Sequence, residues 1–522
     1  MDIILWIIWF GTYMLGAVWY EIYIMHMFQQ NSYKPMEYGE WLKLTGNIGR
    51  LLGKTLYALI SLPLLAVGGR GCLIVACFMN IMTVLVNKPH HAKKPLVYTP
   101  RVKRMLLTTG ILFLIGIAFS LLYQSAPTRA CAMALLVMFI IIPLLVLLVN
   151  LINHPIELAI DRYYINDAAR ILKDMPNLTI IGVTGSYGKT SVKYFLSKLL
   201  SVQFDVLHTP GNYNTTLGVV RTIREQMKSY HEVFICEMGA REVGDIKEIC
   251  DLVHPKYGII TSIGPQHLQS FHSIENIIST KFELADAIPA GGKVFLNYDN
   301  DYICGRKTAA QVISYGTAGD NITYRAYDIS VSIEGSFFKM KDKEGKEYEF
   351  HTRLVGTHNV QNIAGAVAVA NTLGISMEKL IYPVSQLESV PHRLQLINQG
   401  NRTVLDDSYN SNKNGFKAAL DTLAMFDELR ILMTPGMVEL GERQYDENKE
   451  VGVYAYGKCD YAVLVGKEQT KPIQDGLIEA GFSKGKMIVV DTLQEAFQMV
   501  NAIPDERRKV ILIENDLPDN YN

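Results

Sequence analysis

Residues 178–191 read Leu-Thr-Ile-Ile-Gly-Val-Thr-Gly-Ser-Tyr-Gly-Lys-Thr-Ser and decide how the larger part of this chain folds. The apolar run predicts a buried strand, the glycines predict a tight turn, and residues 192–200 are typical of a helix. Gly185 and Gly188 allow the backbone to bend, so that its N–H groups and the positive end of the helix face an anion. This order of elements predicts a site for the phosphates of a nucleotide.

The polar side chains of this turn support the same prediction. Lys189 is placed to reach the terminal phosphates, and the Thr190 hydroxyl is a suitable ligand for Mg²⁺. The turn has the form Thr-Gly-x-x-Gly-Lys-Thr-Ser, which is tighter than the general phosphate-binding loop, because Val183 stands where that loop has glycine. The predicted cofactor-binding residues of the turn are Gly185, Ser186, Gly188, Lys189, Thr190 and Ser191.

Short β-branched runs alternate with helical stretches from about residue 158 onward. Strands are predicted at residues 178–183, 205–207, 233–237, 258–261 and 293–296, and helices at 216–227 and 274–287. A β-rich insert is predicted at about 311–354. A second alternation after residue 390 predicts strands at 403–407, 430–434, 461–465, 487–490 and 509–514. The pattern predicts an α/β fold with parallel sheets and helices on both faces.

Glu237 ends the predicted strand at residues 233–237. The carboxyl ends of parallel strands face the crevice in which ligands bind, so this carboxylate is expected beside the phosphate-binding turn. Together with Thr190, it is a candidate to hold Mg²⁺.

The composition limits the possible classes of function. The chain has 522 residues and a net charge of −1, so several domains are expected and no overall electrostatic attraction to nucleic acid is predicted. There are seven cysteines but no C-x-x-C pair, which argues against a zinc ribbon and a disulfide framework. The hydrophobic share is 49%, and the excess lies in the first third of the chain.

That first third predicts membrane spans. Its apolar runs are residues 3–20, 51–67, 72–86, 105–123 and 130–152. Lysines and arginines cluster at residues 88–104, between the third and fourth runs, which places that loop on the cytoplasmic side. Five spans with the N-terminus outside satisfy the charge distribution, and four spans remain possible if the short middle runs are not separate crossings.

From about residue 179 to about residue 439 the chain resembles the Mur ligase family, the ATP-dependent enzymes that form amide bonds on cell-wall precursors. The resemblance rests on six positions in matching local motifs and in the family's order: Lys189, Glu237, His267, Asn359, Arg393 and Asp406. The segment Asp-Asp-Ser-Tyr-Asn-Ser-Asn at residues 406–412 is most similar to the MurF-type branch, which adds D-alanyl-D-alanine.

The apolar runs and the resemblance together predict a domain organisation. A transmembrane domain at 1–155 is followed by a P-loop-type central ATP-binding domain at 156–388 and a Rossmann-like C-terminal domain at 389–522. The resemblance also implies ATP and Mg²⁺ as cofactors, with two ions expected. Glu237 and His267 would be metal ligands with Thr190, and Lys281 stands where most members carry a carbamylated lysine.

The family's remaining site residues are carried over by position. Arg393 would stabilise the transferred phosphate, Asn359 would contact the adenine, and Asp406 would bind nucleotide. The acceptor loop would supply Asn212, Asn214 and Thr215 to the carboxyl substrate. Residues expected to face the cleft between the two soluble domains are Ser408, Tyr409 and Asn410.

The implied reaction is attack of a substrate carboxylate on the γ-phosphate of ATP, followed by attack of an amine on the acyl phosphate. Predicted membrane spans take the place of the family's UDP-substrate domain. We therefore expect a lipid-linked cell-wall or surface-glycan acceptor at the inner face of the plasma membrane, with the catalytic domains in the cytoplasm. Spans that only tether the enzyme are the alternative.

The end of the chain lacks the Lys-Gly-Ser-type turn of this branch, so the sequence leaves open which amino acid or peptide amine is used. Two other functions stay open. One is a nucleotide-driven membrane switch, and the other is an inactive scaffold of a cell-envelope complex.

Overall fold

The computed structural model describes residues 2–43, 45–89, 95–121, 127–266, 268–319, 321–409, 412–438 and 440–515. The described chain forms two compact units, one that extends to Arg162 and one that begins at Tyr163. The predicted residues His267 and Asn410 lie outside the described residues.

The first unit is helical. Its elements are α1 (Asp2–Gln30), α2 (Pro35–Lys43), α3 (Thr45–Val67), α4 (Arg70–Asn87) and α5 (Pro100–Leu121), and α6 (Pro127–Lys173) begins in it. Within the described residues, five helices are long and apolar enough to cross a membrane, at Ile3–Gln30, Gly46–Val67, Arg70–Asn87, Pro100–Phe119 and Thr128–Lys173. The two short middle runs of the sequence thus belong to separate helices.

Aromatic side chains form much of the core of this unit. The ring of Trp9 stacks on that of Tyr13 with centroids 5.3 Å apart, and the Tyr13 hydroxyl donates to the Leu135 carbonyl at 2.7 Å. Polar contacts join α5 to α6 where the helices leave the apolar stretch. Arg104 forms a two-pronged ion pair with Glu157, with N–O distances of 2.8 and 2.7 Å.

The second unit begins with a nine-stranded sheet in the order β2-β3-β1-β4-β5-β6-β7-β8-β9. Its parallel part consists of β1 (Thr179–Thr184), β2 (Val206–His208), β3 (Val233–Glu237), β4 (Tyr257–Ile260), β5 (Lys293–Asn297) and β6 (Gln311–Gly316). The edge is completed by β7 (Tyr324–Ser332), β8 (Gly335–Lys341) and β9 (Glu347–Thr352), and β8 is antiparallel to both neighbours. The predicted β-rich insert therefore extends the main sheet.

Helices cover this sheet. They are α7 (Lys189–Leu200), α8 (Thr216–Gln226), α9 (Asp245–Val253), α10 (Leu268–Phe271), α11 (Ile274–Asp286), α12 (Thr357–Thr372) and α13 (Met377–Ser385). The alanine- and valine-rich helix α12 and the helix α7 pack into one buried cluster with β1, β3 and β4. Because α7 follows β1 directly, its first turn lies at the carboxyl edge of the sheet.

A six-stranded sheet follows, in the order β10-β11-β15-β12-β13-β14. Its strands are β10 (Gln395–Gln399), β11 (Arg402–Asp407), β12 (Leu429–Thr434), β13 (Tyr461–Val465), β14 (Met487–Val490) and β15 (Lys509–Glu514). The helices between them are α14 (Lys413–Leu423), α15 (Gln444–Ala455), α16 (Lys471–Glu479) and α17 (Leu493–Ala502). All pairings are parallel except that of the edge strand β10 with β11.

The predicted α/β class with parallel sheets is confirmed. The sequence missed β10, a short strand with glutamine at both ends that lies at the edge of its sheet. The domain limits at residues 155 and 388 stay predictions.

Candidate active site

The turn between β1 and α7 has the backbone shape that its glycines predict. Gly188 has φ +81°, and a Cβ there would lie 2.7 Å from Asn362 Oδ1. A Cβ on Gly185 would overlap the Thr261 hydroxyl and lie 2.9 Å from the Ser262 carbonyl oxygen. A side chain fits at neither position, so the turn can pass close to the loop after β4.

Lys189 folds over this turn. Its Nζ donates to the carbonyls of Gly185 at 2.7 Å and Ser186 at 3.1 Å. The pKa of Lys189 is lowered to about 8, mainly by burial; Glu237 opposes this change and the nearby Arg393 adds to it. The amine is thus held at the turn where an incoming phosphate would meet it.

Glu237 lies at the end of β3, which pairs with β1. One of its oxygens, Oε1, accepts from Thr190 Oγ1 and from Asn214 Nδ2, each at 3.2 Å. Its other oxygen, Oε2, lies 2.9 Å from Lys193 Nζ in an ion pair that is almost fully buried. The structure therefore brings the predicted metal ligands Thr190 and Glu237 together with the predicted acceptor loop.

Lys193 was not predicted from the sequence. It follows Lys189 by one helical turn and so lies on the same face of α7. The available signal was a lysine on an otherwise apolar helix face. Its partner, the buried Glu237, is far away in the sequence, so the pairing could not be predicted from the local pattern.

Lys281 lies on α11 and is 3% exposed. Its pKa is lowered to about 7, mainly by burial and also by Lys189, while Asp245 and Glu283 oppose the change. An amine with this pKa is largely neutral at physiological pH, which is the form that reacts with CO₂. The carbamate at Lys281 and the metal role of His267 stay predictions.

The acceptor loop after β2 has three predicted residues. Asn214 contacts Glu237, and its backbone carbonyl accepts from Gly239 N at 2.6 Å. The Thr215 hydroxyl caps α8 by accepting from Gly218 N at 3.3 Å. Asn212 is exposed beside them. Of the three, Asn214 is hydrogen-bonded to Glu237, a metal-ligand candidate among the described residues.

A cavity of about 330 Å³ lies next to the phosphate-binding turn and is lined by residues of both sheets' carboxyl edges. Of the predicted residues, it is lined by Gly188, Thr190, Ser191, Asn359 and Arg393. The Asn359 amide lies at the start of α12 and donates to Val355 O at 2.9 Å. The Arg393 guanidinium lies 4.2 Å from the ring centre of Tyr409, and burial lowers its pKa.

The two aspartates at the end of β11 have different surroundings. Asp406 accepts from Ser408 Oγ at 2.6 Å and lies 2.8 Å from His392 Nδ1. Asp407 lines the cavity together with Glu514, its register partner on β15. Burial raises the pKa of Asp407, while Arg393 opposes that change. Asp407 is thus a candidate that the sequence analysis missed, and the nucleotide role of Asp406 stays a prediction.

Two further cavity residues were missed. Burial lowers the pKa of His358 to about 4, and its Nδ1 has no hydrogen-bond partner among the described residues. Asp299 accepts from Thr317 N at 2.7 Å and from Gln361 Nε2 at 2.7 Å. A neutral imidazole can donate a hydrogen bond to a bound base or sugar or accept one from it, and a fixed carboxylate can accept one.

The donor set fits a magnesium nucleotide. Among the described residues, no three His, Cys, Asp or Glu side chains are grouped so that they could hold a metal ion alone. Mg²⁺ characteristically uses one or two carboxylates and completes its shell with phosphate oxygens and water. Glu237 and Thr190 supply such an incomplete oxygen set beside backbone N–H groups at a helix start.

The fold and this site define a nucleotide-binding α/β protein with ligand groups at the edges of two parallel sheets. Residues 183–370 match the Mur ligase middle domain, and residues 392–513 match the Mur ligase, glutamate ligase domain. The two matched regions cover more than half of the chain, which belongs to the Mur ligase family. Mur ligases use ATP and Mg²⁺.

Several relatives of this chain carry the name of the MurF-type ligase. The UDP-N-acetylmuramoyl-tripeptide–D-alanyl-D-alanine ligase of Haemophilus influenzae is 31% identical over 300 residues, which are 56% of this chain and 65% of the relative. The Bacillus subtilis protein of the same name is 32% identical over 297 residues, 55% of this chain and 63% of the relative. This chain thus spans just under two thirds of these relatives' length.

A solved MurF structure is also similar to this chain. The crystal structure of MurF from Acinetobacter baumannii aligns with a TM-score of 0.61 and 26% identity. The alignment covers 68% of this chain and 77% of that protein.

Proposed function

We propose that this chain is an ATP-dependent ligase that joins the carboxylate of a cell-wall precursor to an amine. The observation that carries the proposal is the contact of Glu237 with both the phosphate-binding turn, through Thr190, and the acceptor loop, through Asn214. One carboxylate thus lies between the expected positions of ATP and of the substrate carboxylate.

In the proposed reaction, a carboxylate oxygen of the acceptor attacks the γ-phosphorus, and the bond to ADP breaks. Lys189 and Arg393 place positive charge where the transferred phosphate would lie, and Asn214 orients the carboxylate. Mg²⁺, held by Glu237 and Thr190, would neutralise phosphate charge. The amine then attacks the acyl carbon, the carbon–oxygen bond breaks, and phosphate leaves with that oxygen.

The relatives' names make D-alanyl-D-alanine the first amine to test.

We further propose that the chain is a multi-pass plasma-membrane protein, with its catalytic domains in the cytoplasm, and that its acceptor is lipid-linked. The five apolar helices precede the matched middle domain. A lipid-linked acceptor would be concentrated at the membrane surface, which removes the need for a domain that grips a soluble nucleotide.

The first test measures ADP release by full-length protein in detergent and by Lys189→Ala, with a bacterial membrane-lipid extract and a pool of amino acids and dipeptides. The proposal predicts release that requires both additions and is absent in the variant, with the added mass identified by mass spectrometry. Release that is indifferent to both additions would instead support the nucleotide-driven switch. Absence of nucleotide binding would support the scaffold.

The identity of the acceptor is tested by comparing two carboxylate substrates. The full-length protein in lipid nanodiscs would be given D-alanyl-D-alanine with either UDP-N-acetylmuramoyl-tripeptide or the polyprenyl-linked form of the same tripeptide. The proposal predicts a higher kcat/KM for the lipid-linked form. Equal kcat/KM values for the two acceptors would show that the helices only tether the enzyme.

A further inference from the structure

Lys193 is a buried lysine with two polar partners, one at the end of a strand and one in a loop. Its Nζ lies 2.9 Å from Glu237 Oε2 and donates to the Gly211 carbonyl at 2.6 Å. The side chain is 0% exposed. Glu237 ends β3, whereas Gly211 begins the acceptor loop, here defined as residues 211–215.

The contacts of Glu237 are divided between its two oxygens. Oε2 faces Lys193, and Oε1 faces both Thr190 and Asn214. Lys193 therefore fixes the rotation of the carboxylate, and it leaves Oε1 as the oxygen directed at the phosphate-binding turn. The acceptor loop is tied to the same carboxylate twice, by the Gly211 carbonyl through Lys193 and by the Asn214 amide directly.

Packing alone does not explain a charged side chain at this position. Removing an ammonium from water is costly, and an apolar side chain of similar volume is often at least as stabilising. The ammonium gives what an apolar side chain cannot, which is a simultaneous link to a carboxylate and to a backbone carbonyl.

We propose that Lys193 is a positioning residue that couples occupancy of the nucleotide–metal site to the conformation of the acceptor loop. A cation held by Glu237 and Thr190 would take up part of the negative charge of the carboxylate that also binds Lys193. The ion pair with Lys193 would then weaken, the hydrogen bond from Lys193 to the Gly211 carbonyl would strengthen, and the loop would become more ordered. Because coupling is reciprocal, an ordered loop also favours nucleotide binding. This inference rests on the proposed function, in which residues 211–215 meet the acceptor.

The test is hydrogen exchange of the full-length protein with Mg²⁺ and ADP as the added ligands. The reporter amides are Tyr213 N and Asn214 N, which are bonded to Pro210 O and Asn212 O. In the wild type we expect Mg²⁺–ADP to slow exchange by at least about tenfold both there and in residues 185–190. In Lys193→Met, the effect should persist in 185–190 and fall below about twofold in the acceptor loop.

Lys198→Met is the matched control, because Lys198 lies on the same helix and is exposed. It should behave as the wild type does. If Lys193→Met does not fold, Lys193→Gln keeps one donor without the charge, and it should show the same selective loss.

Three outcomes would overturn the inference. Mg²⁺–ADP could slow exchange in the acceptor loop of folded Lys193→Met as much as in the wild type, or Lys193→Met could lose protection equally in the acceptor loop and in residues 185–190. The third is that Lys198→Met shows the same selective loss of loop protection. Absence of any Mg²⁺–ADP effect on residues 185–190 of the wild type would contradict the proposed function itself.

Discussion

Replacement of Lys281 by methionine should stabilise the protein in CO₂-free buffer while removing its activity. Burial lowers the pKa of Lys281 from 10.5 to about 7. At pH 7, roughly half of such amines are neutral, whereas about one in 3,000 would be neutral at the ordinary pKa. The low pKa therefore makes the buried amine ready for carbamate formation, but it also makes a protonated Lys281 costly.

The size and sign of that cost follow from linkage. A pKa lowered from 10.5 to about 7 in the folded state means that the folded protein binds fewer protons than the unfolded chain between those two pH values. Stability should rise with pH across that window, and the full penalty, about 5 kcal/mol, should apply below pH 7. Relaxation reduces such penalties, so we expect Lys281→Met to gain about 1–4 kcal/mol at pH 7.

Hydrogen exchange of amides in α11 and β4 measures this local stability. Tryptophan fluorescence does not, because the chain's four tryptophans all lie at or before residue 41. Lys256→Met, at an exposed position on the same unit, is the control and should change nothing. Labelled bicarbonate should give a carbamate ¹³C signal in the wild type and in this control, and none in Lys281→Met.

The reasoning would be refuted if Lys281→Met were less stable than the wild type at pH 7 without CO₂. It would also be refuted if wild-type stability in α11 did not change between pH 7 and pH 10.

Two pairs of substitutions test the nucleotide site. Gly188→Ala places a Cβ 2.7 Å from Asn362 Oδ1 at φ +81°, and it should weaken ADP binding at least about tenfold in a calorimetric titration. Gly345→Ala, with the same φ and open space around it, should cost similar backbone strain and leave ADP binding unchanged; equal effects would contradict the steric argument. Asp407→Asn should weaken ADP binding more than Asp406→Asn, because only Asp407 lines the cavity, and the reverse order would assign the role to Asp406.

The sequence predicted those features that depend on local pattern. Residues 178–191 predicted a strand, a turn and a helix, and the structure has β1, the glycine turn and α7 there. The apolar runs predicted five long helices for the same reason, since length and hydropathy are local properties. Contacts of Thr190 with Glu237 could be expected because adjacent parallel strands end at one edge.

Features that depend on the assembled sheet could not be predicted in this way. Whether Asp406 or Asp407 lines the cavity depends on which face of β11 is turned toward it. The alternation of side chains along a strand does not predict this orientation at the last residue of the strand. Lys193 lies on an apolar face of α7, but its partner is known only once the sheet brings Glu237 of β3 beside it. β10 was missed because a short polar strand acquires its order only by pairing with β11.

The most direct test of the central claim is the origin of the oxygen in the released phosphate. Full-length protein would turn over ATP in H₂¹⁸O with the membrane-lipid extract and D-alanyl-D-alanine, and the phosphate would be analysed by mass spectrometry. A ligase that passes through an acyl phosphate transfers the acceptor's carboxylate oxygen, so the account predicts phosphate without ¹⁸O from water. Phosphate that carries one ¹⁸O from water for each ATP cleaved would show hydrolysis and contradict the account.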